Sequence, residues 1–395
     1  MINVNKSGVL IYSTLLIFII LMVPLYGDPA IVVWTSKIMS ITGFAYDPVC
    51  TKNMNVLCVR SPLYYMLLAT TGIFYKIIPI ILFIIFLTLQ YIFARLNGSN
   101  LKIFGLMFPP IYLLFSRTYV DSLTTALMSA FLITLINLLN KNKVLNRILL
   151  FLIPLLITVT RESSVILPLF LIILLMISPD LKQKLLIGFL GWAIGLACWQ
   201  LYVYLSGGVS YSDFQPHIPM ASEMYRALMT AITPILPWEI QPQDISAYIN
   251  IARIDVLHPL IVLCVHLLAF SVITPIFFSL VHLKHVNKVV VGQIFFGLTV
   301  TTGLLFLKGD IDFFRHLAFL IPSIPLLIET GLGEIQKRSK LISNLIKLTY
   351  ILLFALYFAR TIRLYVTGYF FDPCQYLVKR PEISTIPYFY ETACT

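Results

Sequence analysis

Long apolar runs separated by short polar turns dominate this sequence and most constrain its fold. A helix that crosses a bilayer needs about 20 apolar residues, and such runs recur along most of the chain. Only 11% of the 395 residues are charged, against about 25% in soluble domains. We therefore predict an all-α polytopic membrane protein with about eleven spans, near residues 9–26, 77–94, 103–116, 120–139, 148–160, 163–178, 184–205, 259–281, 289–307, 317–335 and 342–362.

Lysines and arginines between the runs predict the orientation, because basic residues favour cytoplasmic loops. With a cytoplasmic N-terminus, most loop cations lie inside, and the short outer turns hold only Arg117, Arg161, Lys308 and Arg315. The run 9–26 has no small-residue cleavage site after it and is predicted to be the first span. This topology places three long segments outside: a first loop at 27–61, a large loop at about 206–258, and a tail at 366–395.

The sequence predicts one transmembrane domain over residues 1–365, followed by the short extracytoplasmic tail 366–395. The net charge of +11 is spread over short loops, with no basic cluster that would favour nucleic acid. The cysteines agree with the predicted orientation. Four of them lie in the predicted outer segments, and disulfides form on the oxidising side of a membrane. Cys50–Cys58 and Cys374–Cys394 are candidate pairs, although four cysteines permit three connectivities and free thiols are the alternative.

Ionisable residues gather at the outer ends of the predicted spans: Asp28, Arg117, Asp121, Arg161, Glu162, Asp310, Asp312 and Arg315. Such residues are costly near the bilayer unless they are paired or lie in a wet cavity. Together they predict a polar cavity that opens outward, in which carboxylates act as bases and arginines hold a phosphate. For each residue alone, a local pair or a helix cap is the simpler interpretation, as for Arg161 with Glu162.

The first loop contains two predicted interfacial segments. Residues 30–41 carry apolar side chains at helical spacing, with Thr35, Ser36 and Lys37 elsewhere, which predicts an amphipathic helix in the membrane plane. The stripe consists of Ile31, Trp34, Ile38 and Ile41. Residues 62–75 form a second interfacial or re-entrant segment, divided from the span 77–94 by Lys76 and Pro79.

Four stretches occur in a fixed order along the chain. The first is Asp28 with the helix after it and SPLYYMLLATTGIFY, and the later ones are SRTYVDSLTTALMSAFLITL, LLITVTRESSVILPLF and DFFRHLAFLIPSIPLLIE. The first resembles the first outer loop, and the others resemble later turns, of the GT-C glycosyltransferase superfamily, especially the branch of protein O-mannosyltransferases and the lipid A aminoarabinose transferase. The resemblance covers about residues 9–335. Pro29 stands where a second acid is common, Ser61-Pro62 replaces a double proline, and Arg161 replaces a lysine.

The resemblance implies an inverting transfer of a hexose or pentose from a polyprenyl-phosphate donor, such as a dolichyl phosphate, to a lipid, glycan or protein acceptor. It implies that Asp28 is the base and that Arg161, Arg315 and Arg60 bind the donor phosphate. Supporting roles fall to Asp47, Asp121, Glu162, Tyr64 and Tyr65. Asp47 could be the missing second acid, but YDPVC is equally typical of a turn. The acids could hold a divalent cation, although no ligand spacing demands a metal.

Two other functions stay open at this point. An envelope polysaccharide polymerase or ligase would also have many spans, a large loop such as 206–258, and arginines that face lipid-linked sugars. A lipid-linked sugar flippase or transporter would bind near the bilayer midplane and often shows internal repeats. No inverted repeat is evident, and Glu329 is the one acid deep in a run. Its near neighbour Glu334 and the basic stretch KRSK predict an interfacial ion pair.

Overall fold

The computed structural model describes residues 4–23, 28–48, 51, 56–99, 101–140, 144–210, 257–281, 287–308 and 317–366. Within these ranges the fold is all-helical, apart from one pair of two-residue strands. The prediction of an all-α protein is confirmed for this part of the chain.

Fourteen α-helices are found in the described ranges. Their bounds are α1 Val4–Met22, α2 Asp28–Thr42, α3 Pro62–Thr71, α4 Ile77–Leu96, α5 Ile103–Leu106, α6 Pro109–Ser116, α7 Val120–Asn140, α8 Val144–Thr158, α9 Leu167–Ile177, α10 Lys182–Ser206, α11 Leu257–Val281, α12 Lys288–Lys308, α13 Ile324–Arg338 and α14 Lys340–Val366. Short 3₁₀ turns lie at Gly72–Phe74, Glu162–Ile166, Pro179–Leu181 and Ile321–Ser323, and the strands are β1 Cys58–Val59 and β2 Val209–Ser210.

By length and composition, four of the described helices could cross a membrane, namely α4, α7, α10 and α14. The structure thus supports a membrane protein, but not all eleven predicted spans. Proline explains part of the difference between the eleven predicted spans and these four helices, because it lacks an N–H and breaks helices. Pro109 and Pro110 begin α6 and split the predicted span 103–116 into two short helices. Similarly, the predicted span 163–178 begins as a 3₁₀ turn, and α9 follows with Pro168 in its first turn.

Lys76 separates α3 from α4, as the sequence predicts. Its ammonium group donates hydrogen bonds to the carbonyl oxygens of Leu21, at 2.6 Å, and Val23, at the end of α1. These carbonyls belong to the last turn of a helix, where no intrahelical donor reaches them. Burial lowers the pKa of Lys76 from 10.5 to about 8. One side chain therefore closes the end of α1 and marks the start of α4.

Helix α2 is more deeply packed than predicted. Thr35 and Ser36, expected away from the apolar stripe, are both buried, whereas Ile41 is 59% exposed. The reason is tertiary: α2 packs against α3, and Trp34 belongs to the same buried cluster as Trp199 of α10. A helix with protein on more than one side cannot keep the simple two-faced pattern of an interfacial helix.

The end of α10 is joined to the first loop by hydrogen bonds and a small sheet. Strand β1 pairs in parallel with β2, and Cys58 lies opposite Val209. The Tyr46 hydroxyl donates to the Ser206 carbonyl at 2.8 Å, and the Tyr202 hydroxyl accepts the Ala45 N–H at 2.7 Å. The first loop is thus anchored to the C-terminal end of α10 by the β1–β2 pair and by the hydrogen bonds of Tyr46 and Tyr202.

Helices α8 and α10 pack closely through glycines. A Cβ atom at Gly191 would overlap the carbonyl oxygen of Phe151, and one at Gly195 would lie 2.9 Å from the carbonyl oxygen of Leu155. Small residues permit such approach in membrane helix pairs. This packing fixes the C-terminal end of α8, which leads directly into Arg161.

Candidate functional site

The N-terminal end of α3 lies on the turn that follows α8. The Leu63 N–H donates to the Val159 carbonyl at 3.1 Å, and the Ser61 N–H donates to Glu162 Oε1 at 2.7 Å. Both donors precede or begin the helix, so they lack intrahelical acceptors. The turn supplies those acceptors, which brings SPLYY and TRES, two of the stretches singled out above, into direct contact.

A buried ion pair lies at this junction. Arg161 Nη1 contacts Asp121 Oδ1, and the two side chains are 9% and 0% exposed. Asp121 occupies the first turn of α7, where a negative charge is favoured by the helix dipole. The arrangement is the one expected of an acid that orients an arginine. The partner of Arg161 is therefore a residue of another helix, forty positions earlier in the chain.

A fourth stretch contributes Phe319, whose ring centroid lies 5.8 Å from Arg161 Cζ. A guanidinium at this distance from an aromatic ring is attracted to it electrostatically. The backbone around Phe319 is held by two helices. Thr125 of α7 donates to the Ala318 carbonyl at 3.3 Å, and the Gln293 amide of α12 donates to the Phe319 carbonyl.

Tyr64 and Tyr65 lie on the first turn of α3 and are both buried. Burial raises the pKa of the Tyr64 hydroxyl above its ordinary value, and the Ser122 hydroxyl partly offsets this effect. Tyr64 therefore stays a neutral phenol beside Ser122 and Asp121. The two tyrosine rings meet edge to face, with centroids 6.3 Å apart.

Asp47 and Arg60 form a second ion pair in the first loop. Arg60 Nη2 lies 2.7 Å and Arg60 Nε lies 2.8 Å from Asp47 Oδ2. The Arg60 side chain is 18% exposed and the Asp47 side chain is 2% exposed. The Asp47 backbone also accepts the Thr51 N–H at 3.0 Å, which is consistent with the turn interpretation of YDPVC. Both residues proposed for the site from the sequence are thus already engaged with each other.

Several predicted site residues cannot be placed in this cluster. The backbone of Asp28 begins α2, but its side chain lies outside the described residues. The adjacent turn of α2 packs through Ala30 and Val33 against Tyr75, beyond the C-terminal end of α3. Arg315, Cys50, Cys374 and Cys394 also lie outside the description. Cys58 is disulfide-bonded, and its partner is outside too, so the predicted pairings stay predictions.

The arrangement combines one guanidinium, one orienting carboxylate, and several hydroxyl groups in a buried place. Such a place can bind an oxyanion, because arginine presents a planar fork of N–H donors. Among the residues that the structure describes, no group of three or more His, Cys, Asp or Glu side chains could hold a metal ion. The described side chains of this site offer hydrogen-bond donors and charge.

Sequence reasoning did not identify Phe319, Ser61 or Ser122 as parts of this site. Phe319 lies within DFFRHLAFLIPSIPLLIE, one of the four resembling stretches. An aromatic residue in an apolar run, however, gives no sign of a functional role. The sequence marks Ser61 only as a replacement for the first proline of a double proline. Ser122 follows Asp121 directly, and that adjacency was the one available hint.

Glu329, the acid deep in an apolar run, is engaged away from this cluster. Its Oε1 accepts the Gly105 N–H at 2.8 Å, and its Oε2 lies 3.9 Å from Lys102 Nζ. Glu334 pairs with Lys337 at 2.6 Å. The expected pair between this region and KRSK is formed by Glu334 and not by Glu329. Glu329 pairs with Lys102 instead, because α13 packs against α5.

No protein-family model, curated protein or solved structure matches the chain in the comparisons with known proteins.

Proposed function

We propose that the chain is an integral membrane glycosyltransferase of the GT-C type, which transfers a sugar from a polyprenyl-phosphate donor to an acceptor. One observation carries the proposal. The four stretches that resemble this superfamily lie far apart in the sequence, yet they meet at one place. Two of them form the Asp121–Arg161 pair, the first contributes the Ser61 N–H bound to Glu162, and the fourth contributes Phe319. Apolar packing alone would not require these four stretches to meet at one place.

In the proposed reaction, the acceptor hydroxyl attacks the anomeric carbon of the donor sugar. Asp28 takes the hydroxyl proton as the new C–O bond forms. The bond between the anomeric carbon and the phosphate oxygen breaks, and its electron pair leaves on the polyprenyl phosphate. Because attack comes from the face opposite the leaving group, the anomeric configuration inverts.

Arg161 is proposed to stabilise the negative charge that develops on the departing phosphate. Asp121 holds the guanidinium in place, and Glu162 fixes the end of the first loop through the Ser61 N–H. Arg315 is proposed as a second phosphate ligand. Arg60 stays in this proposal only as a residue whose charge Asp47 already offsets.

We propose that the site faces the extracytoplasmic side, with a cytoplasmic N-terminus. The distribution of loop cations supports this orientation. The disulfide at Cys58 supports it independently, since disulfides persist in oxidising compartments. Apolar helix faces between the spans would accommodate the prenyl chain.

Replacement of the proposed base tests the function. Asp28→Asn should abolish sugar transfer from a polyprenyl-phosphate sugar in a reconstituted assay, while expression and membrane insertion stay normal. Glu334→Gln is the matched control, because it makes the same carboxylate-to-amide change in a partly exposed pair with Lys337. An Asp28→Asn variant with most of its transfer activity would refute the assignment of the base.

Cells with and without the gene would identify the sugar and the acceptor. Mass spectrometry of their envelope lipids, glycans and glycoproteins should show one glycan that depends on the gene. A vesicle assay in which an unmodified lipid-linked sugar crosses the membrane, with no transfer, would replace the proposal with a flippase.

A further inference from the structure

Buried hydroxyl groups without hydrogen-bond partners are concentrated at the candidate site. Seven serine or threonine hydroxyls in the described residues are buried and have no partner. Three of them are dispersed over other helices: Thr35, Ser279 and Thr301. The other four lie at the junction of α3, α7 and the turn after α8: Ser61, Thr124, Ser163 and Ser164.

This concentration calls for a cause, because native proteins pair nearly all buried polar groups. Ser61 and Ser164 are completely buried, so bulk water does not satisfy their hydroxyls. Each hydroxyl can donate a hydrogen bond but has no acceptor in the structure. Several such groups in one place are typical of a site that a ligand completes.

Backbone hydrogen bonds hold both serines at the turn that contains Arg161. The Ser61 N–H donates to the Glu162 carboxylate at 2.7 Å, and the Ser164 N–H donates to the Arg161 carbonyl at 3.0 Å. Thr124 lies one turn along α7 from Asp121, the ion-pair partner of Arg161. The residues that bear these hydroxyls therefore lie on the turn and the helix that hold the two members of the ion pair.

We infer that the hydroxyls of Ser61 and Ser164, together with the Arg161 guanidinium, bind the oxygens of a phosphate ester. A phosphate supplies several strong acceptors and no obligatory donors, which matches a set of unsatisfied donors. Hydrogen bonds from hydroxyls to an ionised oxygen are shorter and stronger than neutral ones. The inference rests on the proposed function and adds two neutral ligands to its donor site.

Binding of a lipid phosphate without a sugar tests this inference separately from catalysis. The probe is farnesyl monophosphate, titrated into the purified full-length protein in detergent, with farnesol as the phosphate-free control. Ser61→Ala and Ser164→Ala should each weaken binding of farnesyl monophosphate by about tenfold, the loss typical of a hydrogen bond to a charged group. Binding of farnesol should not change, which also shows that each variant is folded.

Ser279→Ala is the matched control, because Ser279 is also a fully buried serine without a partner. It should leave both affinities unchanged. All three alanine variants should be at least as stable to heat as the wild type, since each removes an unpaired buried hydroxyl.

Wild-type affinity for farnesyl monophosphate in both serine variants would overturn the inference, even if sugar transfer fell. Loss of affinity in Ser279→Ala to the same degree would also overturn it, because the effect would then be unspecific. Hydroxyl-dependent phosphate binding in a protein that transfers no sugar would uphold the inference and refute the proposed glycosyltransferase function.

Discussion

The Asp121–Arg161 pair permits a quantitative prediction, because both side chains are almost inaccessible to water. Removal of one partner leaves the other charge buried and uncompensated, which typically costs about 3–5 kcal/mol. Asp121→Leu and Arg161→Met should each lower the free energy of unfolding by about that amount. The double variant removes both charges and retains apolar volume, so its loss should be far smaller than the sum of the two single losses.

Denaturant unfolding of the purified protein in detergent micelles, followed by tryptophan fluorescence, would measure these free energies. The coupling energy is the difference between the loss of unfolding free energy in the double variant and the sum of the losses in the two single variants. Independent sites add within about 0.5 kcal/mol, and we expect a coupling well above that value. Glu334→Ala provides the comparison, because its Lys337 partner is 73% exposed and exposed pairs contribute about 0–1 kcal/mol.

Two results would refute the reasoning. Single variants within about 1 kcal/mol of the wild type would mean that water reaches the pair. Losses that add fully in the double variant would mean that each residue acts through other contacts. In either case the guanidinium would not be held by Asp121, and its proposed role at the phosphate would lose its structural basis.

The pKa of Lys76, lowered by burial to about 8, predicts that stability rises with pH between about 8 and 10.5. In that interval the unfolded chain holds the proton that the folded chain has released. The free energy of unfolding of the wild type minus that of Lys76→Met should therefore increase across this interval; a flat difference would contradict the burial. Gly191→Ala should destabilise the protein by about 1–3 kcal/mol through overlap with the Phe151 carbonyl. Gly188→Ala on the same helix, where the nearest atom would be 3.5 Å away, should be neutral or stabilising by up to about 1 kcal/mol. Equal effects of the two glycine variants in the same unfolding assay would contradict the close packing of α8 and α10.

The positions of most helices could be predicted from the sequence, because long apolar runs leave few alternatives to a helix. Lys76 likewise marked the division between α3 and α4. The split of the predicted span 103–116 was in principle readable from Pro109 and Pro110. The length of a run alone, however, does not reveal where its helix is interrupted.

The contents of the site were harder to predict, because its contacts join residues that are distant in the sequence. Arg161 has an acid beside it, Glu162, and the simplest local expectation was a pair between them. The fold gives Arg161 a partner on α7 and directs Glu162 to the Ser61 N–H. The burial of Thr35 and Ser36 is a similar case, since it depends on packing with α3 and α10 rather than on the period of α2.

The pairing of β1 with β2 has a consequence for biosynthesis. Cys58 and Val209 are partners in this small sheet, so this edge of β1 cannot be paired until the ribosome has made the 150 intervening residues. At about 5–20 residues per second, this takes roughly 8–30 s. During that time the nascent first loop has a free strand edge next to the Cys58 thiol. Oxidation of Cys58 can therefore precede the docking of the loop, and the order of these two events decides which thiol it meets first.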